Sequence, residues 1–109
     1  MTFNNFQERA MGLPLLWQPE YGLSVVGLGL AEEAGEVAGK IKKCFRDNKG
    51  DVSEDKRIEI AYELGDVLWY IAATCQELGL TMDDVAELNC QKLEDRNQRG
   101  VLEGSGDHR

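Results

Sequence analysis

The sequence predicts an all-α protein, a bundle of about four helices completed by homo-oligomerisation. Three observations carry that expectation. Both prolines, Pro14 and Pro19, fall before residue 20, so the remaining chain is free to run as long helices. Apolar residues then recur at helical spacing through two long stretches. No window of four to eight residues alternates apolar and polar between turn signals, as a half-buried strand would. The 109 residues suit one domain, and a chain of this size has little interior of its own to bury.

The elements follow in order. Residues 3–13 read as a short helix that stops near Pro14. Leu15–Tyr21 is a linker holding Trp17 and Pro19. From Leu23 to Phe45, Val26, Leu30, Val37, Ile41 and Cys44 mark the inner face of a long helix. Arg46–Val52 reads as a loop with Asn48 and Gly50 as turn residues. Ser53 is placed to cap a second long helix, with Glu54 and Asp55 at its positive end. Ile60, Leu64, Val67, Ile71 and Leu78 form its seam, and Gly79 stops it. Thr81 caps a last helix reaching Arg99, followed by the glycine-rich tail 100–109.

Composition narrows the functional classes. The net charge of −8 repels a phosphate backbone, which argues against coating DNA or RNA. A single nucleotide stays compatible where a cation carries its phosphates. Three scattered cysteines without a CxxC fit a reducing cytoplasm and serve best as small core residues. No signal peptide or membrane span is read from the apolar pattern. The lone histidine, His108, lies in the tail and leaves no Ser-His-Asp or Cys-His set.

One internal repeat stands out. Leu30–Ile41 (LAEEAGEVAGKI) matches Ile60–Ile71 (IAYELGDVLWYI), sharing Ala31/Ala61, Glu33/Glu63, Gly35/Gly65, Val37/Val67 and Ile41/Ile71. Convergence of two amphipathic helices explains the apolar matches. It does not explain a shared glycine mid-helix, which costs about 1 kcal/mol against alanine. Residues three apart lie one turn apart on one helix face, so Glu33 pairs with Glu36 and Glu63 with Asp66. Both pairs flank the seam. Four carboxylates brought together there repel unless protonated or joined by a cation. Hard oxygen donors without His or Cys select Mg²⁺, with Mn²⁺ as substitute, and Mg²⁺ takes substrate phosphates among its ligands. The competing reading is that these acids merely solvate two helix faces. Asn89, Lys92 and Arg96 share a face of the last helix and suit phosphates and sugar hydroxyls, or equally an ordinary solvated face.

With its acids in the order Glu33-x-x-Glu36 then Glu63-x-x-Asp66, the chain resembles the MazG-like family of all-α nucleoside triphosphate pyrophosphohydrolases. Asn89-x-x-Lys92-Leu93-x-x-Arg96 and the run Arg99–Asp107 (RGVLEGSGD) look like its small single-domain members. The resemblance covers 1–109 as one domain, most loosely over 1–22. It implies hydrolysis of a (d)NTP to monophosphate and pyrophosphate by a homodimer or a homotetramer, a dimer of dimers. Glu33, Glu36, Glu63 and Asp66 would hold Mg²⁺, with Glu36 or Glu33 as general base. Asn89, Lys92 and Arg96 would contact substrate, with Tyr70, Trp17 and Lys43 as further contacts. Sister activities on dUTP or phosphoribosyl-ATP use related helices, and a non-catalytic helical adaptor is the alternative of a different class.

Overall fold

The computed structural model describes all residues, Met1–Arg109, and is all-helical. Helix α1 spans Phe3–Met11, α2 Gly22–Asn48, α3 Glu54–Glu77 and α4 Met82–Gln98, with a short 3₁₀ turn at Pro19–Tyr21. Local chemistry sets the boundaries. Thr2 and Asn5 form a reciprocal capping box at the start of α1. Ser53 Oγ accepts from the Lys56 amide, and Thr81 Oγ1 from the Asp84 amide, as their positions predict. Gly79, at φ 68°, lets the chain leave α3 and return as α4.

Two boundaries depart from the sequence reading. Helix α1 ends at Met11, since a residue that precedes proline disfavours helical backbone. Helix α2 runs on through Asn48 into what reads as a loop. Lys49 then takes a left-handed conformation at φ 55°, and the Gly50 amide closes on Cys44 O at 3.0 Å. That closure ties off the helix end and leaves a connection of five residues, 49–53.

Helices α2 and α3 form an antiparallel hairpin, the most extensive packing in the molecule. Partners descend along α3 as they ascend along α2. Gly22 meets Glu77, Gly29 meets Tyr70, and Lys40 meets Glu63. Antiparallel helices bearing one repeated motif are related by a local pseudo-twofold, which brings the two acidic segments to the same level. Helix α1 lies across α3 and α4, and α4 packs on α1 and α3 but not on α2.

The tightest core sits where α1, α3 and α4 meet. Ala10, Ala72, Cys75 and Met82 are buried there, flanked by Phe6, Leu68, Trp69 and Val85. Gln7 latches this corner. Its side chain donates to Leu80 O at 3.0 Å and accepts from the Met82 amide at 2.8 Å. Elsewhere the seam is only partly covered. Val26 and Cys44 are buried, but Ile41, Leu64 and Leu78 stay exposed, as does Cys90. The Cα radius of gyration is 16.9 Å, whereas a compact chain of this length has about 13 Å. No helix is long and apolar enough to cross a membrane.

Candidate functional site

The pseudo-twofold hairpin brings Glu33 of α2 together with Glu63 and Asp66 of α3. One carboxylate oxygen from each lies within 4.8 Å of the others. Glu36 follows one turn after Glu33, is exposed, and lies outside the three-oxygen set. Lys40 reaches across to Glu63 at 3.7 Å. It is the one cation paired with the cluster, and its place four residues after Glu36 was a legible signal.

Electrostatics report the crowding. Burial pushes the Glu33 carboxyl above its usual range, and the charges of Asp66, Glu32, Glu63 and Glu36 push it further. Three carboxylates against one lysine leave excess negative charge in a space an ion could occupy. The donors are all hard oxygens, so the set fits Mg²⁺ or Mn²⁺ far better than a soft metal.

Trp69 joins two further predicted contacts. Trp17 meets it edge-on at 5.9 Å between ring centroids, and Tyr70 does so at 5.0 Å. Tyr70 follows Asp66 by one turn, so the aromatic group adjoins the acids along α3. Its ring lies against Gly29, where any Cβ would collide with it. Gly29 gave no sign of this in the sequence, since the contact is long-range. Trp17 Nε1 is buried without an acceptor. A buried indole N–H ordinarily finds a partner, so this unmet donor carries a desolvation cost.

The remaining predicted contacts lie apart. Asn89 and Lys92 are exposed on α4, which does not touch α2. Arg96 is 6% exposed and donates to the Asp107 carbonyl at 2.6 Å, so within this chain it binds the tail. Lys43 lines a polar hollow at the α2–α3 turn with Asp47, Asp51 and Lys56. At Gly35 and Gly65, the glycines shared by the repeat, a Cβ meets nothing within 4 Å. The space they leave faces outward. Gly65 floors an exposed apolar groove lined by Ile58, Ala61, Tyr62 and Asp66.

Comparison with known proteins identifies the family. Residues 23–101 match the family model of the MazG nucleotide pyrophosphohydrolase domain. The chain is 46% identical over 88 residues to the Gene 37 protein of Mycobacterium phage L5, covering 81% of this chain and 77% of that protein. No solved structure matches. The matched region contains α2 from its second residue onward and α3 and α4 whole, with both acidic pairs and the α4 stripe, and on that ground the chain belongs to the MazG nucleotide pyrophosphohydrolase family.

Proposed function

We propose that this protein hydrolyses (deoxy)nucleoside triphosphates to the monophosphate and pyrophosphate with Mg²⁺, clearing surplus or non-standard nucleotides. The observation that carries the reading is the convergence of Glu33, Glu63 and Asp66 from two helices that bear one motif. These three would hold the metal. Bound there, Mg²⁺ supplies charge stabilisation for a phosphate and makes a neighbouring water more acidic.

The chain's own residues supply the rest. Glu36, one turn from Glu33 and outside the three-oxygen set, is free to take the proton from the attacking water. The water oxygen bonds to the α-phosphorus, the bond from that phosphorus to the bridging oxygen breaks, and pyrophosphate leaves. Lys40 holds Glu63 in place across the hairpin. The Trp17–Trp69–Tyr70 group lies one turn along α3, placed for sugar and base when the phosphates sit over the acids.

A homo-oligomer supports the same reading. Asn89 and Lys92 stand exposed on α4, which makes no contact with the helix that carries Glu33 and Glu36. The groove over Ile58, Tyr62 and Gly65 adjoins Asp66 and offers a second copy a docking face. Pyrophosphate release from a panel of (d)NTPs, with Mg²⁺ and with EDTA, tests the activity. Metal-dependent release is expected, and its ranking names the preferred base. Folded protein that releases none from any of them, dUTP and phosphoribosyl-ATP included, would leave the adaptor reading.

A further inference from the structure

Two side-chain amides three residues apart, Asn4 and Gln7, share one face of α1. Gln7 is 8% exposed, and its amide group is matched at both ends. Nε2 donates to Leu80 O at 3.0 Å and to Gln76 Oε1 at 3.3 Å, while Oε1 accepts from the Met82 amide at 2.8 Å. Asn4 Oδ1 accepts from the Asp83 amide at 2.9 Å. With Thr81 on the Asp84 amide, the first three N–H groups of α4 all meet side-chain oxygens, two of them supplied by α1. A glutamate in place of Gln7 could not donate, and a methionine could neither donate nor accept well.

The apolar side of α1 could not fix its own register. Ala10 is its one buried apolar residue, and hydrophobic contact is non-directional. The hydrogen bonds of Gln7 and Asn4 therefore set how α1 is turned and how far along it sits. That setting reaches the aromatic group. Ala10 is buried beside Ala72, Cys75 and Met82, and Phe6 and Trp69 pack against the same cluster. Phe6, Ala10 and Leu13 also share one hollow with Trp69. Trp69 in turn carries the edge contacts to Trp17 and Tyr70. Helix α1 does not touch α2, so Glu33 and Glu36 are independent of it. It also lies outside residues 23–101, the span that matches the family model.

We propose that Gln7, with Asn4 beside it, is a positioning residue for substrate binding. It seats α1 on the corner of α3 and α4, and α1 so seated holds Trp69 against Trp17 and Tyr70. Gln7 acts through Trp69 and not on the substrate itself. Losing it leaves the α2–α3 hairpin and its acids in place but loosens the aromatic group beside them. The effect therefore falls on binding of the nucleoside part and not on the chemical step. That the aromatic group meets the substrate rests on the hydrolase reading; the seating of α1 by Gln7 does not.

Steady-state hydrolysis of a dNTP by the Gln7→Met and Asn4→Ala variants of the full chain, assayed well below the Tm of each, tests the assignment. Gln7→Met should raise KM about tenfold or more and leave kcat within about twofold, because the binding lost is equal in ground and transition states. Asn4→Ala removes one exposed hydrogen bond and should act in the same direction to a lesser degree. Inhibition by pyrophosphate, which carries neither sugar nor base, should match the wild type. The near-UV circular dichroism of the tryptophans should change while the far-UV spectrum does not. A role confined to stability predicts a lower Tm with KM and the near-UV spectrum unmoved, and that result overturns the proposal. Pyrophosphate inhibition that weakens in step with KM overturns it as well, since the acids themselves would then be disturbed. Should Gln7→Met not fold, Asn4→Ala decides by the same readings. A wild type that hydrolyses no NTP overturns the hydrolase reading alone, and the near-UV spectrum then decides the seating of α1.

Discussion

Burial and the charges of Asp66 and Glu63 raise the cost of ionising Glu33, and this has measurable results in the absence of metal. Glu63→Gln or Asp66→Asn should leave the helices intact and reduce turnover on the order of 100-fold or more, the scale of losing a group that stabilises the transition state. Circular dichroism and pyrophosphate release check the two halves. Mg²⁺ should raise the Tm of the wild type, because an ion that binds only the folded state stabilises it, and both variants should lose that rise. A pH dependence follows from Glu33. Its carboxyl titrates higher folded than unfolded, so the folded state holds the proton longer. The metal-free protein therefore loses stability as pH rises from the usual glutamate range through the raised value. In EDTA, Glu33→Gln should melt above wild type at neutral pH, with the gap closing as the pH falls. A gap that widens on acidification would reverse the sign argued here. Residue types and spacing named these acids from the sequence. The inward turn of Arg96 required the partner across the fold to be seen.

At the scale of the element, two kinds of glycine divide α2 and α3. Gly29 lies under the Tyr70 ring, and a methyl there displaces an aromatic ring held by Trp69. Gly29→Ala should destabilise by about 1–3 kcal/mol in chemical denaturation, the usual cost of overpacking. Gly65→Ala meets open space in this chain, and alanine is the better helix former by about 1 kcal/mol. It should therefore stabilise the isolated helix pair while blocking the groove that adjoins Asp66, so activity falls although folding does not. Unimpaired activity in Gly65→Ala would show that nothing needs that groove. Helix caps were legible because Ser53, Thr81 and Gly79 act within one turn of themselves. The end of α2 was not, because Asn48 and Gly50 serve a turn equally well with or without a left-handed Lys49 before it.

The whole molecule is open for its length, and the hairpin carries part of its uncovered apolar surface. Ile58, Tyr62, Leu64, Leu28 and Phe45 all stand exposed on α2 or α3. Light scattering on a sizing column should return a mass of two or four chains rather than 12.2 kDa. Charge substitution at Tyr62, as Tyr62→Lys, should shift that mass downward and reduce turnover with it, since α4 does not reach the α2 acids of its own chain. A monomer with full activity would require Asn89 and Lys92 to be idle.

The sequence by itself determined the helical class, the caps, the acidic pairs and their repetition, because each depends on neighbours within a turn or on simple periodicity. Only the tertiary structure decided which acids converge, that Trp69 joins Trp17 to Tyr70, and that Arg96 faces the tail. Those outcomes depend on the rotation of one helix against another and on contacts between residues far apart in the chain. Spacing places a side chain on a face, but packing decides what that face meets.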